Sequence, residues 1–221
     1  MVERKTDKKQ YAVKIFDKNL ILSDDLERKC LLYELKMMRR VEYDQILRLR
    51  EIYEGENYIY CLCDLCNGGH LLNKMLKTGH FIEAKAVRLL SQLLSALCYL
   101  SDANIIHRDI KPENMIFRTD AEDSDIVLVD LGFATYCKDY NKLFTRCGTP
   151  GYVAPEVLHD KVYDCKADIF SMGTIFYIML TGKVPFSSKT YEGLVKANMQ
   201  CQIDFSFIDD KKYKISNQAM N

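Results

Sequence analysis

HRDIKPEN, residues 107–114, places His107, Arg108, Asp109, Lys111, Glu113 and Asn114 within eight positions, directly after an apolar helical run and the short step Ile105–Ile106. A solvated loop rarely needs that density of charge. Pro112 forbids a regular continuation and restricts Lys111 to extended backbone, so the loop is expected to hold one shape from which polar groups converge. Sixteen residues beyond Asn114, Asp130 ends the apolar strand IVLV and is followed by Leu131 and Gly132. A carboxylate at a strand end, next to a glycine that frees the backbone, is a natural ligand for a hard cation.

Working outward toward the N-terminus, QYAVKIFDK (10–18) alternates at period two and reads as a strand, with Lys14 sharing a face with Ala12 and Phe16. An edge-strand lysine reaching for water is one reading of Lys14, and an anion awaiting it is the other. SDDLERKCLLYELKMMRRV (23–41) repeats Leu26, Cys30, Tyr33, Met37 and Val41 at helical spacing, with Asp24 and Glu27 as a capping box. ILRLREIYEGENYIYCLCDL (46–65) reads as two strands around EGEN, and NGG (67–69) breaks the pattern as a linker. The division expected is a strand-rich unit over 1–66 and a mainly helical one over 67–221.

Toward the C-terminus, EAKAVRLLSQLLSALCYL (83–100) predicts a helix with Val87, Leu90, Leu94 and Leu97 on its apolar face, and DIFSMGTIFYIMLTG (168–182) a central buried helix. Between them the chain is rich in loops, and few helical signals fall from Leu131 to Pro155. A long segment of that kind inside a compact domain is usually functional.

Composition excludes several classes. With 221 residues and 48% hydrophobic content the chain can bury a sizeable core. Lys plus Arg and Asp plus Glu each count 31, so no overall charge points to nucleic acid or an anionic membrane. No apolar run approaches the roughly 18 residues of a membrane span. Nine unevenly spaced cysteines suit reduced thiols better than a disulfide framework. Cytoplasm is the expected compartment, with the nucleus also compatible. Cys61, Cys63 and Cys66 read as C-x-C-x-x-C, but no second pair follows, and period-two spacing already explains the first two as strand residues.

YAVK (11–14), HRDIKPEN, DLG (130–132) and GTPGYVAPE (148–156), in that order, resemble the motif set of the eukaryotic protein kinases. The resemblance runs from about residue 2 to the C-terminus. Through GTPGYVAPE and YDCKADIFSMGTIFYIMLTGKVPF (163–186) it is similar to the calcium/calmodulin-dependent kinase group. It implies an α+β, bilobal fold with a small β-rich N-lobe and a larger helical C-lobe. It further implies an ATP-dependent serine/threonine kinase that uses ATP and Mg2+ and acts on Ser/Thr hydroxyls of protein substrates.

By the same resemblance Asp109 orients the substrate hydroxyl and accepts its proton, Lys111 neutralises charge on the γ-phosphoryl, and Lys14 binds the α- and β-phosphates while paired with Glu34. Asn114 and Asp130 would hold the metal. Ala12, Asp64, Cys66, Glu113, Asn114, Ile116 and Asp130 would line the nucleotide site with Lys14, Asp64 to Cys66 forming the hinge through backbone groups and Cys63 standing at the gatekeeper position. Thr149 and Glu113 would face the substrate. Thr145 would be a phosphorylation switch set by an upstream activating kinase and read by Arg108, or else an unmodified loop threonine. Asp168 would brace the catalytic loop.

The chain departs from the family pattern in several places. His70 stands where an acidic residue is usual and reads as an exposed helix-start residue, which weakens any expectation of basic substrates. Leu131 replaces the commoner Phe and should still pack. No glycine occurs in the thirteen residues before Lys14, and YKISNQAMN (213–221) looks like a helix start. The expectation is a catalytic domain truncated at both ends, lacking the glycine-rich loop, strands flanking YAVKIF and the final helices. The alternative is a pseudokinase or kinase-fold binding scaffold.

Overall fold

Lys14 shares its face of the opening strand with Phe16, whose ring lies 5.1 Å from the Lys14 ammonium, as period-two geometry requires. In the computed structural model, which describes residues 1–19, 25–137, 147–206 and 215–220, that strand is β2 (Gln10–Asp17) of a four-stranded antiparallel sheet. The others are β1 (Val2–Glu3), β3 (Leu49–Glu54) and β4 (Tyr58–Asp64), in the order β1-β2-β4-β3. The β2–β4 register sets Ala12 opposite Cys63 and Lys14 opposite Cys61. EGEN closes the β3–β4 hairpin as expected, Gly55 N–H donating to Tyr58 O at 2.8 Å. On β2's second edge, Val2 and Glu3 pair with Tyr11 and Gln10 at the start of the strand.

Helix α1 (Asp25–Arg40) follows, turning Leu31, Glu34 and Met37 inward. Of the capping box expected at Asp24 and Glu27, Asp24 lies outside the described residues. After α1 the chain is fastened to the C-terminal part. Leu47 N–H donates to Leu128 O at 2.9 Å, Leu128 N–H to Gln45 O at 2.8 Å, and Tyr43 stacks on Tyr99 at 4.7 Å. Met37, Val41 and Ile46 therefore share one core with Leu93, Ile126 and Ile175.

NGG is a tighter element than a linker. Asn67 and Gly68 N–H donate to Arg118 and Phe117 O, and Phe117 N–H returns a bond to Gly69 O. A Cβ on Gly68 would lie 2.0 Å from Thr119 O, so only glycine allows this approach.

The remaining part comprises α2 (Leu71–Thr78), α3 (Glu83–Asp102), β5 (Ile105–Ile106), β6 (Met115–Phe117), β7 (Ile126–Leu128), β8 (Thr135–Tyr136), α4 (Pro155–Leu158), α5 (Lys166–Thr181), α6 (Tyr191–Gln200) and α7 (Asn217–Met220). β5 pairs with β8, and β6 with β7. α5 is buried along most of its length, including Ala167, Asp168, Met172 and Ile175, and it packs on α3. The face predicted for α3 needs correction. Ala86, Leu89, Leu93, Ala96 and Leu100 form its buried stripe with Leu97, while Val87 is exposed and Leu90 and Leu94 sit at the margin. The same periodicity is displaced by one residue, on a helix that is apolar on several sides. α7 begins where YKISNQAMN suggested a helix, its Ser216 entry held by both Glu83 carboxylate oxygens at 2.7 Å. The described architecture is the mixed α+β one expected.

Candidate functional site

Two buried strands bring the catalytic-loop candidates into position. β5 delivers the chain into HRDIKPEN, and a 3-10 turn over Pro112–Asn114 takes it out into β6. Lys111 is extended (φ −155°, ψ 159°), as the following proline demands. Arg108 adopts a left-handed backbone (φ 70°), a costly state for a residue with a Cβ. It is held there by Asp168 in the first turn of α5, whose carboxylate accepts His107 N–H at 2.7 Å and Arg108 N–H at 2.9 Å. His107 is fully buried: its Nδ1 accepts from Asp109 N–H at 3.3 Å and its Nε2 lies 3.4 Å from Val129 O. That pattern specifies the neutral Nε2–H tautomer. Burial lowers the His107 pKa against the charge of Asp168, and burial likewise pushes the Asp168 carboxyl up against its two backbone donors.

Asp109, 5% exposed, stands at the centre of the constellation. Its Oδ1 accepts from Thr149 Oγ1 at 2.8 Å, and its Oδ2 meets Lys111 Nζ at 2.7 Å and Asn114 Nδ2 at 3.1 Å. Lys111 Nζ also donates to Thr149 Oγ1 at 3.2 Å. A carboxylate offers about four lone-pair sites, so these three donors leave it room for one more. Asn114 gives its amide hydrogens to Asp109 O and Oδ2, which leaves Oδ1 as its acceptor.

Lys14, Glu34 and Asp130 converge from three elements. Lys14 Nζ lies 2.5 Å from Glu34 Oε1 and 3.8 Å from Asp130 Oδ1. The Glu34 side chain is 10% exposed, whereas those of Lys14 and Asp130 are 45% and 43% exposed and open to a ligand. Val129 N–H donates to Asn114 O at 2.9 Å, which sets Asp130 beside the catalytic loop. Asp130 is itself left-handed (φ 66°), and its Oδ1 accepts Gly132 N–H at 3.1 Å. A Cβ on Gly132 would lie 3.1 Å from that oxygen and 3.5 Å from Glu34 Oε2, so the glycine keeps the turn open. Asn114 Oδ1 and the Asp130 carboxylate are hard oxygen donors of the kind Mg2+ takes, and this donor set fits the ion.

The other predicted residues fall around these two groups. The Asp64 side chain is engaged by Arg50 in a two-point contact at 2.6 and 2.7 Å, so any hinge role falls to backbone. Arg50 went unnoticed in the sequence because a bulge between Leu49 and Glu51 shifts the β3–β4 register there. Burial pushes the Cys63 thiol up to about 11 and raises that of Cys66. Cys61 and Cys63 are buried β4 residues, and among the described residues no three His, Cys, Asp or Glu side chains gather as a metal site. Ile116 pairs with Val127 and bridges to His70, whose Nδ1 lies 2.7 Å from Glu113 O. Exposed at the start of α2, His70 thus ties the NGG segment to the catalytic loop. Leu131 is buried in the main core. Arg108 Nε donates to Phe133 O at 2.6 Å and its guanidinium bonds Tyr163. Thr145 lies outside the described residues.

A strand-rich layer presenting a lysine–glutamate pair beside an Asp–Lys–Asn loop on a helical body defines the class, and the chain belongs to the protein kinase family. The protein kinase domain matches residues 1–221. The chain is 40% identical over 210 residues to calcium-dependent protein kinase 5 of Plasmodium berghei, which covers 94% of the chain and 36% of that protein. It is 35% identical over 206 residues to calcium/calmodulin-dependent protein kinase type 1 of Caenorhabditis briggsae, covering 93% of the chain and 57% of the relative. It is also 34% identical over 203 residues to myosin light chain kinase A of Dictyostelium discoideum, covering 92% and 68%. The chain therefore spans about a third of the first of these relatives and about two thirds of the last. No described helix is long and apolar enough to cross a membrane.

Proposed function

We propose that this domain transfers the γ-phosphoryl of ATP to serine or threonine hydroxyls of protein substrates. The observation that carries the reading is the hydroxyl already resting on Asp109: Thr149 Oγ1 donates to its carboxylate at 2.8 Å with the Lys111 ammonium bridging both. A substrate hydroxyl donating to the remaining lone pair of Asp109 is oriented for attack on phosphorus. As its oxygen bonds to the γ-phosphoryl, the proton passes to Asp109, and the bond to the departing diphosphate breaks. Lys111 stabilises the charge moving across the transferred group. Lys14, held by Glu34, binds the α- and β-phosphates. Bound Mg2+, held by Asn114 and Asp130, would supply charge neutralisation on the phosphate oxygens.

Lys111 and Thr149 are the residues that favour Ser/Thr over Tyr acceptors. Arg108 is the proposed reader of a phosphate on Thr145 placed by an upstream kinase, in the cytoplasm or nucleus. A Thr145→Ala protein turning over as fast as phosphorylated wild type removes that role. The transfer itself is tested by ATP-dependent phosphate incorporation into Ser/Thr peptides, with Asp109→Asn lowering the rate by about 10²–10⁴-fold. Incorporation that survives Asp109→Asn, or none from wild type, overturns it in favour of a binding scaffold.

A further inference from the structure

Cys137 and Cys165 lie 28 positions apart, yet their sulfurs are separated by 3.0 Å. Their neighbourhood is well anchored. Cys137 leaves β8 with its N–H donated to Asn104 O at 2.7 Å, and Cys165 precedes α5 with its sulfur 3.7 Å from Ile105 O. Both thiols are thus referred to two consecutive residues at the entrance of β5. They sit against one apolar cluster containing Ile106, Val153, Val157 and Ala167. A disulfide has an S–S length of about 2.05 Å, so closure needs an approach of about 1 Å.

We infer that Cys137 and Cys165 are a redox pair that closes to a disulfide when the protein meets hydrogen peroxide. Cys165 is the more accessible residue and Cys137 is buried. Burial also raises the Cys137 thiol, in keeping with its role as the second thiol to react. The Cys165 sulfur attacks the peroxide: an S–O bond forms, the O–O bond breaks, and water leaves, giving a sulfenic acid. The Cys137 sulfur then loses its proton and displaces a second water from Cys165 as the S–S bond forms. Two thiols give up two electrons and two protons, and one peroxide becomes two waters. The bond joins the strand leaving the DLG turn to the helix whose Asp168 holds the catalytic loop. The inference rests on the proximity and burial of the two cysteines, independent of phosphoryl transfer.

The test oxidises the full chain with hydrogen peroxide, alkylates remaining thiols without reduction, and maps peptides by mass spectrometry. The expected product is a Cys137–Cys165 cross-link, two hydrogens lighter than its component peptides, lost on reduction and retained in Cys98→Ser. Oxidation should also raise the melting temperature of wild type but not of Cys165→Ser. In Cys137→Ser, a 1,3-diketone should capture the stranded sulfenic acid at Cys165. The inference is overturned if both thiols of wild type stay alkylatable under peroxide that oxidises exposed Cys98, or if Cys165 links to Cys147 instead. The wild-type map decides even where a variant fails to fold.

Discussion

The two halves of the site are built differently. On the C-terminal side, Asp109, Asn114, His107 and Asp168 are buried and wired into one another through backbone N–H groups and carbonyls. On the N-terminal side, Lys14 reaches from a small sheet into a half-open space, secured by Glu34 and by Asp130 at longer range. Buried hydrogen bonds in low dielectric hold polar groups in advance of any ligand, whereas a half-exposed ion pair adds little to stability. The catalytic loop should therefore be part of what keeps the chain folded, and the lysine part of what makes it act.

The sharpest way to break that contrast is Asp168→Ala. It strands two buried backbone donors and releases the left-handed Arg108, so a loss of about 4 kcal/mol is expected. Urea unfolding measures it, and a loss under about 1 kcal/mol would mean the loop holds its own shape. Lys14→Met should do the reverse. Phosphate transfer falls by about 10²-fold or more, with the urea midpoint falling by less than in Asp168→Ala, because the Lys14 end of the pair is half-exposed although Glu34 is buried. If Lys14→Met instead unfolds the chain, the two halves are alike after all.

Gly68→Ala probes the join between the halves. The added methyl meets Thr119 O and Phe117, and about 1–3 kcal/mol of destabilisation should follow, read as a lowered melting temperature. The smallest expected effect is a pH slope. His107 has an ordinary value of 6.5, and burial holds it lower in the folded chain. The unfolded state therefore takes up a proton that the native state does not, and stability falls as pH drops below 6.5. Asp168 acts oppositely from 3.8 upward, since burial raises it above that value and the native state binds the extra proton there. Urea midpoints from about pH 7.5 to about pH 5.5 should decline in wild type and lose that slope in His107→Asn.

Much of this was legible from the chain. Period-two alternation gave β2 and the β3–β4 hairpin, because a strand's side chains alternate faces whatever the fold. Pro112 predicted the extended Lys111, because ring geometry acts on the adjacent residue alone. Glu34 and Asp168 were picked out by resemblance, and the structure places them against Lys14 and the His107–Arg108 backbone. Other features escaped. The α3 stripe slipped by one residue, since a helix apolar on several sides does not declare which side meets α5. NGG read as a linker, because turn residues signal a break in pattern and carry no record of the strand they dock against.

The sequence by itself determined which chemical groups are present, their order, and the local backbone that glycine, proline and alternation impose. Tertiary structure alone decided that Thr149 rests on a carboxylate 40 residues away, that Arg50 occupies Asp64, and that Cys137 meets Cys165. Those contacts depend on tenths of an ångström, and such distances are set by how α3, α5 and the short strands pack together, not by any residue's own preference.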